Sequence, residues 1–149
     1  MGIIICDIDG TIADCEHRRH YVTDLPKNHD AFYAGVKDDK PIWSVIALVQ
    51  RLIAYEGSKT ELVFVTGRPE RCRTDTVEWL KGVHLYPSDY TLFMRKDGDY
   101  RQDHIVKQEI LDYSIDKARV WIVIDDRKQV VDMWRRNGLT CLQVADGNF

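Results

Sequence analysis

Five short apolar runs punctuate the chain: Ile3 to Cys6, Leu62 to Val65, Thr91 to Met94, Val120 to Ile124, and Thr140 to Val144. Their length and β-branched content predict strands, and because most are apolar at nearly every position, both faces of the sheet should be covered. Segments with helical spacing lie between most of them. Pro41 to Tyr55 carries apolar residues on most turns, and Pro69 to Leu80 opens with a proline, which suits a first helical turn. Asp103 to Tyr113 places Val106, Ile110 and Tyr113 at helical spacing; Arg127 to Arg136 does so with Val130, Val131 and Trp134 and then meets Asn137-Gly138, a helix stop. Strands alternating with helices predict an α/β fold, a parallel five-stranded sheet flanked by helices, in one domain spanning residues 1–149.

The segment from Ala13 to Lys40 breaks that rhythm. It is long and polar, holds His17, Arg18, Arg19, His20 and Tyr21, and ends in a charged run from Lys37 to Lys40. A connection this long in a compact domain is usually functional, so residues 13–40 are expected to form a small lid or cap inserted after the first strand. Tyr21, Phe32 and Tyr33 are its candidate contacts to a nucleobase. His17 and His20 are expected in solvent, whereas Trp43, Trp79, Trp121 and Trp134 are expected in the core.

Composition narrows the partners. A length of 149 residues supports one core without a disulfide framework, and a formal charge of -3 gives no global attraction to polyanions. Nucleic-acid contacts would therefore come from local clusters such as Arg18-Arg19 and Arg135-Arg136. Cys6, Cys15, Cys72 and Cys141 are far apart and form no Cys-x-x-Cys pair, so reduced thiols and a cytoplasmic setting are expected. Cys6 and Cys141 should pack in the core, Cys15 and Cys72 lie partly exposed. No secretory leader or membrane span is visible, and neither a membrane nor an obligatory protein partner is expected.

The chemistry gathers at strand ends, where open α/β sheets place their sites. Asp7 and Asp9 follow the first apolar run, and Asp125-Asp126 closes the fourth. Carboxylates so close repel one another unless a cation or a shared proton compensates them, so the pairs call for a divalent metal, proton transfer, or both.

Taken in order, the strand ends carry Asp7-x-Asp9-Gly-Thr11, Val65-Thr66-Gly67-Arg68, Lys107 and Asp125-Asp126. This order resembles the haloacid dehalogenase (HAD) superfamily of aspartate-nucleophile phosphatases. Asp125-Asp126-Arg127 with the following Val-Val-Asp-Met-Trp-Arg-Arg, together with Arg101-Gln-Asp103-His-Ile-Val-Lys107, is similar to the 3′-phosphatase domain of phage polynucleotide kinase. No Gly-x-x-x-x-Gly-Lys-Ser/Thr occurs, so these residues carry no kinase half.

The resemblance implies a Rossmann-like HAD fold and a phosphomonoesterase with Asp7 as nucleophile and Asp9 as general acid and then base, its pKa raised in the complex. It implies Mg²⁺ held by Asp7, Asp125, Asp126 and the backbone carbonyl of Asp9. Thr66 and Lys107 would stabilise the phosphoryl group; Thr11, Arg18, Arg68 and Asp103 are the implied substrate-side residues, with Asp103 alternatively holding Lys107 or an arginine in place. The implied substrate is the 3′-phosphate end of DNA or RNA, in a viral or bacterial setting. A nucleotidase acting on free nucleoside monophosphates is the alternative enzyme. A phosphoacceptor receiver domain shares the carboxylates, threonine and lysine, but its phosphoacceptor strand follows the acidic pair; a silent binding module would not need the full set.

Overall fold

A computed structural model describes residues 2–56, 60–86 and 90–148. The end residues Met1 and Phe149 of the expected domain lie outside the described residues. The five anticipated strands form one parallel sheet: β1 (Ile3–Cys6), β4 (Glu61–Pro69), β5 (Tyr90–Arg95), β6 (Val120–Arg127) and β7 (Cys141–Gly147), in the order β5-β4-β1-β6-β7. Strand β1 is central, paired with β4 and β6.

Alternation along β1 sends side chains to two separate cores. Ile4 and Cys6 pack with Phe64, with Ile46 and Val49 of helix α3 (Trp43–Glu56), and with Trp79 and Leu80 of helix α4 (Arg73–Gly82). Ile3 and Ile5 pack on the opposite face with Leu111 of α5 (Asp103–Ser114) and with Val130, Val131 and Trp134 of α6 (Lys128–Arg136). Each isoleucine or leucine buried this way contributes about 1.5–3 kcal/mol relative to exposure.

Several boundaries differ from the pattern read in the sequence. Pro69 does not open a helix: it ends β4, pairing with Arg95 past an irregularity, and a 3-10 turn over Glu70–Cys72 precedes α4. Strand β6 likewise continues through Asp125, Asp126 and Arg127. Helix α6 stops where Gly138 adopts φ +78°.

The insertion is not a bare loop. It contains β2 (Ala13–Asp14), α1 (Glu16–Thr23), α2 (His29–Ala34), a 3-10 turn at Val36–Asp38, and β3 (Lys40–Pro41), with β2 and β3 antiparallel. Trp79 and Trp134 are buried as expected, whereas Trp43 and Trp121 are 58% and 43% exposed because they fall on the outward face of α3 and near the start of β6. Cys72 is buried beneath the insertion rather than partly exposed. No helix among the described residues is long and apolar enough to cross a membrane.

Candidate active site

The parallel sheet brings the acidic strand ends together. The Asp7 N–H donates to the carbonyl of Ile124 at 3.0 Å, which fixes Asp7 against β6 directly before Asp125. Lys107, from α5, aims its ammonium into this group: Nζ lies 2.7 Å from Asp7 Oδ1, 3.0 Å from Asp125 Oδ2 and 3.5 Å from Asp103 Oδ2. Thr11 Oγ1 lies 3.1 Å from Asp7 Oδ2 and 3.2 Å from Asp126 Oδ1. The Trp134 indole donates to Asp125 Oδ2 at 3.1 Å and the Arg127 N–H to Asp125 Oδ1 at 3.2 Å. Gly10 makes the packing possible: its φ is +80°, and a Cβ there would run into the Asp126 carboxylate.

Asp7, Asp125 and Asp126 each offer a carboxylate oxygen within 4.8 Å of the others. Burial pushes Asp7 well above the ordinary carboxylate range, with Asp125 and Asp126 adding to the rise and Lys107 opposing it. Asp126 is pushed up to about 6, by burial first and then by Asp125. Burial alone would lower Lys107, but Asp103, Asp125 and Asp7 outweigh it and keep the ammonium charged. One ammonium thus faces three clustered carboxylates and Asp103. This shortage of positive charge, with hard oxygen donors only, fits a divalent cation such as Mg²⁺. The Asp9 side chain lies outside this group, so any part Asp9 takes in holding a cation falls to its backbone carbonyl.

Asp9 instead meets two arginines. Arg68 reaches its Oδ1 through Nη2 at 2.6 Å and Nε at 3.0 Å, and Arg18 through Nη2 at 2.7 Å. Burial raises the Asp9 pKa, yet the guanidiniums of Arg68 and Arg18 win and hold it below the ordinary value. The raised pKa expected for a general acid is therefore absent from the resting site, which holds Asp9 ionised.

The positions expected on the substrate side divide in two. Thr11, Arg18 and Arg68 are at most 1% exposed and do not line the cleft. They stand behind the carboxylates and hold them, because neutralising a buried carboxylate takes donors on its inner side. Thr66 is also enclosed, its hydroxyl accepting the Arg68 N–H at 3.2 Å. Asp103 lines the cleft while pairing with Arg95 at 3.3 Å and with Lys107. The sequence reading missed Asp39, buried in the charged run before Pro41, which pairs with Arg18, Arg68 and His17. Two adjacent aspartates just before Lys40-Pro41 were its one visible signal.

Above Asp7, Asp9 and Asp126 opens a cleft of about 620 Å³. The insertion forms one wall with Arg19, Lys27, His29, Phe32 and Tyr33; the other carries Arg71, Lys96, Tyr100, Arg101 and Arg127. His29 and Tyr100 face each other across it with ring centroids 6.2 Å apart. Tyr21 is not part of the lining; it leans on His20 instead.

Comparison with known proteins agrees with this geometry. The family model described as the polynucleotide kinase PNKP phosphatase domain matches residues 1–149. A putative bifunctional polynucleotide kinase/RNA ligase of Autographa californica nuclear polyhedrosis virus is 32% identical over 133 residues, covering 89% of this chain and 17% of that protein. A chain of the solved Pnkp1/Rnl/Hen1 complex superposes with TM-score 0.80 at 30% identity, covering 99% of this chain and 47% of that one. A haloacid dehalogenase-like hydrolase from Streptococcus pneumoniae shares the fold, with TM-score 0.64 at 15% identity, over 96% of this chain and 84% of that one. The chain thus spans less than half of the Pnkp1/Rnl/Hen1 chain and about a sixth of the viral protein. With its whole length matched and its carboxylates assembled at the sheet's edge, the chain belongs to the PNKP-type phosphatase domains of the haloacid dehalogenase phosphatases.

Proposed function

We propose that this phosphatase removes the terminal phosphate from a polynucleotide, with a 3′-phosphate of RNA or DNA as the favoured substrate, through an aspartyl-phosphate on Asp7 and with Mg²⁺ as its cation. The observation that carries the reading is the setting of Asp7. It lies at the floor of the cleft, with Lys107 on one oxygen and Thr11 on the other, beside two further carboxylates. A nucleophile approaching a phosphate dianion needs positive charge held in place beforehand, and Lys107 supplies part of it. Asp7, Asp125 and Asp126 would hold Mg²⁺, which when bound neutralises phosphoryl oxygens.

In the first step an Asp7 oxygen bonds to phosphorus while the bond to the sugar oxygen breaks; that oxygen keeps the electron pair and takes a proton from Asp9. In the second step water attacks phosphorus, the Asp7–phosphorus bond breaks, and the water's proton returns to Asp9. The proton balance closes over the cycle once Asp9, ionised in the resting site, has taken up a proton from solvent as the dianionic substrate enters, and the ionised form left after the first step is the one required as base in the second. The arginines and lysines on both cleft walls, in a chain of net charge -3, favour a substrate with phosphates beyond the one removed. The RNA repair description of the Pnkp1/Rnl/Hen1 assembly supports the same substrate class.

The deciding experiment compares phosphate release from 3′-phosphorylated RNA and DNA oligonucleotides, their 5′-phosphorylated counterparts and free nucleoside monophosphates, with Mg²⁺ and with chelator. The 3′-phosphorylated oligonucleotides should be preferred, and release should require Mg²⁺ and vanish in Asp7→Asn. Equal rates on mononucleotides would replace the reading with a small-molecule nucleotidase. A stable phosphorylated chain without turnover would point to a receiver.

A further inference from the structure

Asp39 is a buried carboxylate that the two chemical steps leave without a task. Its side chain is fully enclosed and away from the cleft lining, so it meets no substrate. Its Oδ2 accepts from Arg18 Nη2 at 2.6 Å and from Arg68 Nη2 at 2.8 Å. These same two nitrogens reach Asp9 Oδ1, so each bridges the two carboxylates. Asp39 Oδ1 takes Arg18 Nε at 2.7 Å and His17 Nε2 at 2.8 Å.

The arrangement has a charge logic. Two guanidiniums facing Asp9 alone would leave one buried positive charge uncompensated, a strongly unfavourable state, and Asp39 brings the quartet to neutrality. It also has a directional logic. Among the described residues every side-chain hydrogen bond to Asp9 lands on Oδ1, while the carboxylate as a whole lines the cleft. A carboxylate's terminal torsion is broad, so an acid that must present one particular oxygen needs something to hold the other. The guanidiniums do this only if they are themselves held, and paired contacts between Arg and carboxylate are directional. Asp39 holds them from a firm base, since its backbone carbonyl accepts the indole N–H of Trp79 in the core at 2.8 Å.

We propose that Asp39 is a positioning residue which, through Arg18 and Arg68, fixes the Asp9 carboxylate with Oδ1 turned inward and Oδ2 presented to the leaving oxygen. The proposal rests on the reading of Asp9 as the proton donor.

The test uses two substrates of different leaving group in the presence of Mg²⁺: a nucleoside 3′-phosphate, whose alkoxide needs a proton, and 2,4-dinitrophenyl phosphate, whose phenolate departs without one. Asp39→Asn should lower kcat/KM on the sugar phosphate by about 30-fold, a partial loss of the roughly 10²–10⁴-fold that general acids supply, and on the aryl phosphate by less than about threefold. Asp9→Asn should show the same split, more strongly. An equal loss on both substrates in Asp39→Asn, with the split kept in Asp9→Asn, assigns Asp39 to folding alone and overturns the proposal. If Asp9→Asn itself shows no split, the proton-donor reading has failed and the proposal falls with it. If thermal unfolding shows Asp39→Asn to be unfolded, His17→Ala decides, because His17 is at the surface and touches Asp39 from outside. A weaker split in the same direction supports the proposal, and equal effects on both substrates refute it.

Discussion

Lys107 Nζ stands 2.7 Å from Asp7 Oδ1, across one hundred residues of chain, and is as enclosed as the carboxylate it faces. In the proposed reaction a buried ammonium at this distance would orient Asp7 as the nucleophile and offer its charge where the phosphoryl oxygens gather. Replacing it with methionine keeps the length and removes the charge. Phosphate release by Lys107→Met should fall by about 10²–10³-fold. Lys107→Arg should not restore it, because a planar fork does not fit the place of a compact ammonium. Steady-state kcat measurements check both variants; a wild-type rate in Lys107→Met removes the residue from the chemistry.

Gly10 has no room for a side chain and a φ that L residues rarely adopt. Gly10→Ala should cost about 1–3 kcal/mol of stability from backbone strain. It should also weaken the response to Mg²⁺, because the new Cβ displaces Asp126. Thermal unfolding with and without Mg²⁺ measures the two effects together, and a variant indistinguishable from the parent chain would contradict the close approach.

The raised pKa of Asp126 gives the cation-free protein an unusual pH dependence. Between the ordinary value of 3.8 and about 6, the folded chain binds more protons at this site than the unfolded chain does, so stability falls as pH rises through that window. The upper limit of the loss is roughly 3 kcal/mol, from about two pH units at 1.36 kcal/mol each. Asp7 shifts in the same direction. The lowered pKa of Asp9 acts oppositely, but only below the ordinary carboxylate value. In chelator the unfolding temperature should therefore be higher at pH 5 than at pH 7, and Mg²⁺ should close most of that gap. A cation-free chain more stable at pH 7 than at pH 5 would refute the assignment.

The sheet was legible because parallel strands covered on both faces are apolar without interruption, as in Ile3 to Cys6 and Leu62 to Val65. Where strands run on into polar residues, as β4 does through Gly67 and Arg68, hydropathy no longer marks them. The insertion was expected over residues 13–40, but its helices were hidden for a similar reason. Helix α1 buries only Arg18 and α2 buries nothing, so neither leaves an apolar stripe to be read. Asp7, Asp9, Lys107, Asp125 and Asp126 could be placed from the order of their motifs along the chain and its resemblance to the haloacid dehalogenase phosphatases. Asp39 could not, since its burial depends on arginines 21 and 29 residues away, and a charge run ordinarily faces water.

The strand order has a kinetic consequence. The proposed nucleophile follows β1, which is the middle of the sheet and waits for partners beginning at Glu61 and Val120. Pairings so distant in sequence close slowly and late. Hydrolytic competence should therefore appear all at once, after the strand bearing Asp125 has docked, which makes turnover during refolding a stricter gauge of completion than helical signal.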